Sequence, residues 1–357
     1  MLAFRYILFH YLTFFVIILG ALSLFLVGFD YMSNAAKISQ SANLVLIYLV
    51  YKSFFAVDML LPLSLVFAMI TTKLNLIRSN ALVSFYSLGY SKLDILKPFV
   101  VASSVITLLF ISLHTIPKFA KANEMARSIK EHSEYLSPSR DLFFIYQNKY
   151  IYFKKLLPLQ QKALGIRIFT LKEKKLKKVI VAKSAFYKNG AWHIKNADII
   201  TKPDDFTFAS HGIKVTKSNE LVLLDGFRPK MLDQVYEGKA NYTINDAFEA
   251  FFLLSKENIK VDKIKAALYR SLIHPFYAPL LVVIIFFFVP ISSRFLNVSL
   301  FSFVAIVSSL LIWGVLFMLM ELSKNKTIPS EIGIVLPIIL LFIVAIRQIH
   351  TTKTDNS

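Results

Sequence analysis

The residues of this sequence best placed to do chemistry are ionisable side chains set within long apolar runs, because a charge in hydrocarbon needs a partner or a purpose. Asp58 falls about two helical turns inside the apolar run 50–70, Lys52 nearer the outer end of that run, and His114 near the outer end of the run 98–117. A carboxylate at the depth of Asp58 requires a cation or water, whereas Lys52 can extend its ammonium to the interface. Asp30, Lys37, Lys52, Lys324 and Lys326 stand at the outer ends of their runs. The lysines there could meet lipid phosphates as charge-assisted pairs or serve as ordinary interfacial lysines, and Asp30 joins them as a candidate for the lipid-facing set.

Covalent and nucleotide chemistry find little support. None of the ten glycines forms G-x-x-x-x-G-K-[ST], so the chain has no phosphate-cradling loop. It also lacks an H-E-x-x-H metal helix and a G-x-S-x-G elbow, and His132, His193 and His211 are scattered. The absence of cysteine removes disulfides, thiolate metal sites and thiol nucleophiles together. We therefore expect no catalytic residue, no metal and no cofactor held by the chain itself.

A second kind of chemistry, docking, is suggested by Arg78 and the segment that follows it. Leu82, Phe85, Tyr86 and Gly89 fall at i, i+3, i+4 and i+7, which puts one apolar and aromatic face on a short helix over about 79–90. Such a face suits either the groove of a soluble partner or the headgroup layer of a membrane.

The elements that must carry these residues follow from length and composition. Apolar residues make up 56% of the chain, with 33 Phe and 16 Tyr, more than a soluble domain carries. Runs at 6–29, 50–70, 98–117, 272–289, 298–320 and 332–346 are each about long enough to cross roughly 30 Å of hydrocarbon as a helix. Three spans precede and three follow a polar middle block. That block alternates in the manner of strands: Leu164, Ile166, Ile168 and Thr170 against Gly165, Arg167 and Phe169. Asn189-Gly190 predicts a type I′ hairpin, and several strands without helices between them predict a sandwich or jelly roll. Its inward candidates are Phe143, Ile151, Phe153, Ile166, Ile168, Val181, Trp192 and Ile194. Helical segments flank it, the second with a stripe of Ile244, Phe248, Phe251, Leu254 and Ile259.

Charge gives the orientation. Of the formal +19, an excess of 12 lies in residues 118–268, where 28 Lys and Arg face 16 Asp and Glu. Long domains cross regardless of charge, so the short loops decide. With the N-terminus inside, inner segments hold Arg5, Lys73, Arg78, Lys92, Lys97, Arg294, Arg347 and Lys353, against four lysines outside. Both termini are then cytoplasmic, the β domain lies on the far side, and nucleic acid is no partner.

Leu61-Pro62-Leu63, the 78–91 segment with Gly89-Tyr90-Ser91, Pro98, Asp30, the Tyr187 to Trp192 hairpin, the Pro275/Pro279 pair and Pro290 to Arg294 occur in this order along the chain. In this collinear set the sequence resembles the LptF/LptG (YjgP/YjgQ) family of lipopolysaccharide-transport permeases. The resemblance implies a bacterial inner-membrane protein of six helices, 3+3, around a periplasmic jelly-roll-like β domain. The domains are then 1–117, with spans one to three and the coupling helix; 118–243, the β domain with its helical lead-in; and 244–357, an amphipathic helix and spans four to six. It implies a half-transporter working with a second LptF/LptG-type permease, two copies of an LptB-like cytoplasmic ATPase subunit that binds the ATP, and LptC/LptA-like periplasmic bridge components. The family's coupling helix matches the segment bearing Arg78, Leu82, Phe85, Tyr86 and Gly89, and its lipid gates lie beside spans one and five. At one place the chain departs from the pattern: Ala81 stands where relatives usually carry Glu, which leaves docking to Arg78 or the aromatic face. Two other classes would also place a β domain between spans. A receptor needs an output module inside, yet the tail after Arg347 is about ten residues. A lipid- or glycan-modifying enzyme needs clustered carboxylates or histidines, which the sequence lacks.

Overall fold

A computed structural model describes residues 2–38, 42–131, 139–146, 149–157, 161–172, 175–203, 212–224, 243–256, 262–288 and 297–354. His132, Glu173, His211, Ile259, Pro290 and Arg294 of the sequence reading lie outside the described residues. Before the sheet come α1 (Leu2–Ile38), α2 (Ala42–Arg78), α3 (Ala81–Ser87), α4 (Lys92–Leu113), α5 (Pro117–Ala120) and α6 (Ala122–Glu131). After it come α7 (Ile244–Lys256), α8 (Asp262–Leu272), a 3₁₀ turn His274–Phe276 that runs into α9 (Tyr277–Phe288), α10 (Val298–Lys324) and α11 (Leu336–Thr354).

Among the described residues six helices are long and apolar enough to span a membrane: α1, α2, α4, the continuous stretch Asp262–Phe288, α10 and α11. The chain is thus a multi-pass membrane protein with three spans on each side of a β domain. Both α1 and α2 have 37 residues, a length of about 55 Å. That exceeds the hydrocarbon by several turns, and it carries Asp30 and Lys37 on helix where a loop was expected.

The bundle is built on α2 and α9, whose Leu65, Val66, Met69, Leu281 and Val282 are wholly buried. Tyr11 of α1 enters this core and donates its hydroxyl to the Leu65 carbonyl at 3.1 Å, which satisfies a polar group that would otherwise be stranded. In contrast, α1, α10 and α11 keep rows of large apolar side chains outward, among them Phe9, Phe25, Phe303 and Leu311. Such faces suit lipid or another apolar helix.

The chain divides into two compact units. The helical one comprises Met1–Glu131, Asn241–Asn245 and Lys265–Ser357, and the other His132–Ala240 and Asp246–Ile264. Hence α5 and α6 pack with the helices rather than with the sheet, whereas most of α7 belongs to the second unit. Among the described side chains of α7, Ile244, Ala247 and Ala250 are buried, while Phe248 of the apolar stripe is exposed.

The second unit holds one six-stranded antiparallel sheet in the order β1 (Ser139–Tyr146), β2 (Lys149–Leu157), β3 (Lys162–Lys172), β4 (Lys175–Lys188), β5 (Ala191–Thr201) and β6 (Lys214–Leu223). Each strand pairs with its neighbour in sequence, so the described connectivity is a meander. Asn189 and Gly190 join β4 to β5 with φ of 52° and 85°, the two positive values a type I′ turn needs.

A crease crosses the sheet. Every ladder skips one pair, and the skipped residues form one row: Asp141, Lys154, Gly165, Lys183, Asn196 and Asn219. On alternate strands that row is left-handed, at Asp141 (φ 52°), Gly165 (64°) and Asn196 (52°). The inward positions slip accordingly, from Phe153 to Leu156, Ile166 to Ala163, Ala182 to Ala185 and Ala197 to Ile194, three residues apart where an unbroken pleat gives two. Leu164, expected on the face of Ile166, therefore is not buried; Ala163 takes that role. Phe143 is 52% exposed and Val181 only half-buried because both point to the other face; the remaining inward candidates are buried.

The sheet also curls. Phe153 on β2 and Trp192 on β5 have ring centroids 5.2 Å apart. In a flat sheet, strands three places apart lie about 14 Å away from each other. The inner face therefore closes on itself and forms its own apolar core.

Candidate functional site

Two ends of the helical unit concentrate the residues singled out above, and α2 runs from one to the other. At the end where α2 stops, Asn80 takes a left-handed conformation (φ 56°) at the N-cap position of α3 and turns the chain back. Gly89 (φ 86°) closes the turn, and Ser91 with Asp94 forms a capping box for α4, the Ser91 hydroxyl accepting from Asp94 N–H at 3.1 Å. The seven-residue α3 is thus set rigidly between two long helices.

Its faces differ from the sequence expectation. Leu82 is fully buried and belongs to the bundle core, and Phe85 and Tyr86 pack against that core, Phe85 beside Tyr6 and Tyr90. Burial pushes the Tyr86 hydroxyl up to about 12, so it remains a neutral group. The outward surface is Val83, Ser84, Ser87 and Leu88, with Arg78 exposed beside it. A cavity of about 410 Å³ adjoins the turn, lined by Phe4 and Ile7 of α1 and by Leu88, Gly89, Tyr90 and Lys97.

Lys73, counted among the loop cations by sequence, is instead buried inside the bundle. Its ammonium donates to the carbonyl of Phe286 near the end of α9 and sits 3.8 Å from the centroid of that residue's ring. A cation at the C-terminal end of a helix is favoured by the helix dipole. Nothing in the periodicity of α2 could have foretold this partner, 213 residues away.

At the opposite end, Asp30 and Lys52 form an ion pair of 2.8 Å, and Tyr48 donates its hydroxyl to the second oxygen of Asp30. Lys324 pairs with Glu321 at 3.3 Å. Lys37 and Lys326 are exposed, and neither makes an ion pair among the described residues. Of the five lipid candidates the fold thus brings two together, pairs a third with its own helix, and leaves two outward.

Asp58 sits between helices. His114, the C-cap of α4, approaches one carboxylate oxygen through Nε2 at 2.9 Å, and Arg270 of α8 donates to the other at 3.4 Å. Asp58 was expected to need a cation or water, and the fold brings it the guanidinium of Arg270 and the imidazole of His114. Arg270 lay unremarked in the sequence because only the tertiary packing brings it to Asp58, 212 residues away. Among the described residues no group of three His, Cys, Asp or Glu could hold a metal ion.

This arrangement, a membrane-spanning bundle with a short rigid helix exposed at one end and an inserted β unit, can be compared with known families. Residues 5–350 match the family described as lipopolysaccharide export system permease LptF/LptG. The chain belongs to the LptF/LptG family. It is accordingly a permease of lipopolysaccharide export, and the match takes in both helical triplets and the sheet between them. A comparison with curated proteins gives no match. The segment of α3 and its flanking turns lies within the matched residues of this LptF/LptG chain.

Proposed function

We propose that the chain is one half of an ATP-driven exporter in the bacterial inner membrane, with both termini and α3 in the cytoplasm and the β unit in the periplasm. The observation that carries this reading is the family match over nearly the whole chain, taken with α3, which has Val83 and Leu88 outward on a short helix held between two tight turns beside the cationic Arg78. Outward apolar side chains on a short helix suit a groove on a soluble partner. That partner is an ATPase subunit present in two copies, since the sequence has no phosphate-cradling loop, and a second LptF/LptG-type chain completes the pathway. Motion of the ATPase subunits pushes on α3 and, through α2, on the core helices. The lipid moves along the apolar outer faces of α1 and α10 toward the β unit. There the curled inner face, with Phe153 and Trp192, offers the apolar environment that acyl chains require, before transfer to LptC/LptA-like bridge components. Asp30 with Lys52, Lys37, Lys324 and Lys326 border the route where lipid phosphates would pass.

Affinity purification of the tagged chain in mild detergent, followed by identification of each co-eluting chain, tests this. A nucleotide-binding subunit and a related permease in stoichiometric amounts are expected. Elution of the chain alone, or with a signalling protein, would overturn the reading.

A further inference from the structure

The polar group around Asp58 meets α2 at its weakest turn. Pro62, four residues on, has no N–H, so the Asp58 carbonyl loses the bond that would continue the helix. From that turn the Asp58 carboxylate reaches both α4, through His114, and α8, through Arg270. His114 holds on from both sides of its ring, since Nδ1 lies 3.1 Å from the Phe110 carbonyl and Nε2 2.9 Å from Asp58. Both neighbours are acceptors, so the ring is held between the Phe110 carbonyl and the Asp58 carboxylate. The backbone of His114 is engaged as well, its carbonyl accepting from Ile244 N–H at 3.2 Å, so the chain that leaves the helical unit and the chain that returns to it meet here.

A second imidazole stands close by. His274, one turn beyond Arg270, lies within electrostatic reach of Asp58 and Arg270, and its Nε2 is buried with no hydrogen-bond partner. A buried ring nitrogen left unbonded near a shared carboxylate calls for an explanation. An alternative position of that carboxylate supplies one, and close-packed helices settle into discrete arrangements rather than intermediate ones.

We propose that Asp58 is a positioning residue of the transport cycle, whose carboxylate exchanges the imidazole of His114 for that of His274 while remaining paired with Arg270. The exchange shifts the ends of α4 and α8 relative to the Pro62 turn. The proposal rests on the reading of the chain as an exporter driven by an ATPase partner.

The complex purified from membranes and reconstituted with lipopolysaccharide tests it through the amount of lipid exported per ATP hydrolysed, a ratio that reduced abundance does not alter, alongside thermal melting. His274→Phe keeps a ring of similar volume and removes the second position. Asp58→Leu combined with His114→Phe and Arg270→Met removes the charges together and leaves no isolated buried ion. Each is expected to assemble with the ATPase subunit and to lower the ratio about tenfold, whereas Asp58→Glu retains most of it. A wild-type ratio in either His274→Phe or the triple variant overturns the positioning role, and should the triple variant fail to assemble, His274→Phe decides alone. A wild-type complex that hydrolyses ATP without exporting lipid overturns the exporter reading, and the proposal with it.

Discussion

Gly165 illustrates how one residue type permits a feature of the β unit. Its φ of 64° is open to glycine at little expense, and a Cβ there would come within 2.7 Å of the Cβ of Lys154 on the neighbouring strand. Gly165→Ala should therefore destabilise the β unit by about 1–3 kcal/mol, read as a lower melting midpoint in Trp192 fluorescence of the full chain, with Trp313 replaced by Phe to isolate the signal. Residues of α3 separate into two roles by burial. Leu82→Ala leaves a cavity in the helical core and should cost about 2–5 kcal/mol, seen as earlier thermal unfolding. Leu88 is 73% exposed, and Leu88→Asp should instead leave the melting temperature unchanged while the ATPase subunit no longer co-purifies. Phe85→Ala with Tyr86→Ala combines both effects, because these rings pack inward at the base of the same helix; export is expected to stop while membrane insertion persists.

Among the elements, α4 and α2 differ in how fully their backbone is satisfied. The Ser91–Asp94 capping box satisfies first-turn donors of α4 and holds the turn that follows α3. Ser91→Ala should cost about 1 kcal/mol and lower the melting temperature with no change in which chains co-purify. In α2 the missing bond at Pro62 and the polar group at Asp58 fall in the same turn, so the helix joining α3 to the far end of the bundle lacks one backbone hydrogen bond at a defined place. The sheet gains its shape in a comparable way. A row of skipped pairs creases it across the strands, and the crease accompanies a curl that brings Phe153 against Trp192. That contact makes the inner face a packed core in this structure, and an acyl chain entering it must part the two rings.

At the scale of the whole molecule, the orientation is open to a direct test because the chain has no cysteine of its own. Lys183 and Thr351 are both exposed, one on the sheet and one near the end of α11. In intact spheroplasts, Lys183→Cys should react with a membrane-impermeant maleimide, whereas Thr351→Cys should react only after the membrane is opened. The reverse pattern would place the β unit in the cytoplasm and remove the proposed route for lipid. The little-buried outer faces of α1, α10 and α11 leave apolar surface for lipid or for another apolar helix.

How much of this was legible beforehand depends on the range of the force involved. The six spans, the β insertion and the Asn189-Gly190 hairpin follow from apolar run length, strand-like alternation and local backbone preference, all of which act within a few residues. The amphipathic pattern of 82–89 announced a helix, but a short helix between two long ones has apolar neighbours on its own chain. Packing turned Leu82, Phe85 and Tyr86 toward those neighbours and Val83 and Leu88 outward. Likewise the sequence marked Asp58 as a charge in need of a partner. The choice of His114 and Arg270, like that of Phe286 for Lys73, came from helices 56 to 213 residues apart. Short-range preferences determine which elements exist; which charges and rings meet is decided by the assembled bundle and the curled sheet, where burial makes each unpaired polar group costly.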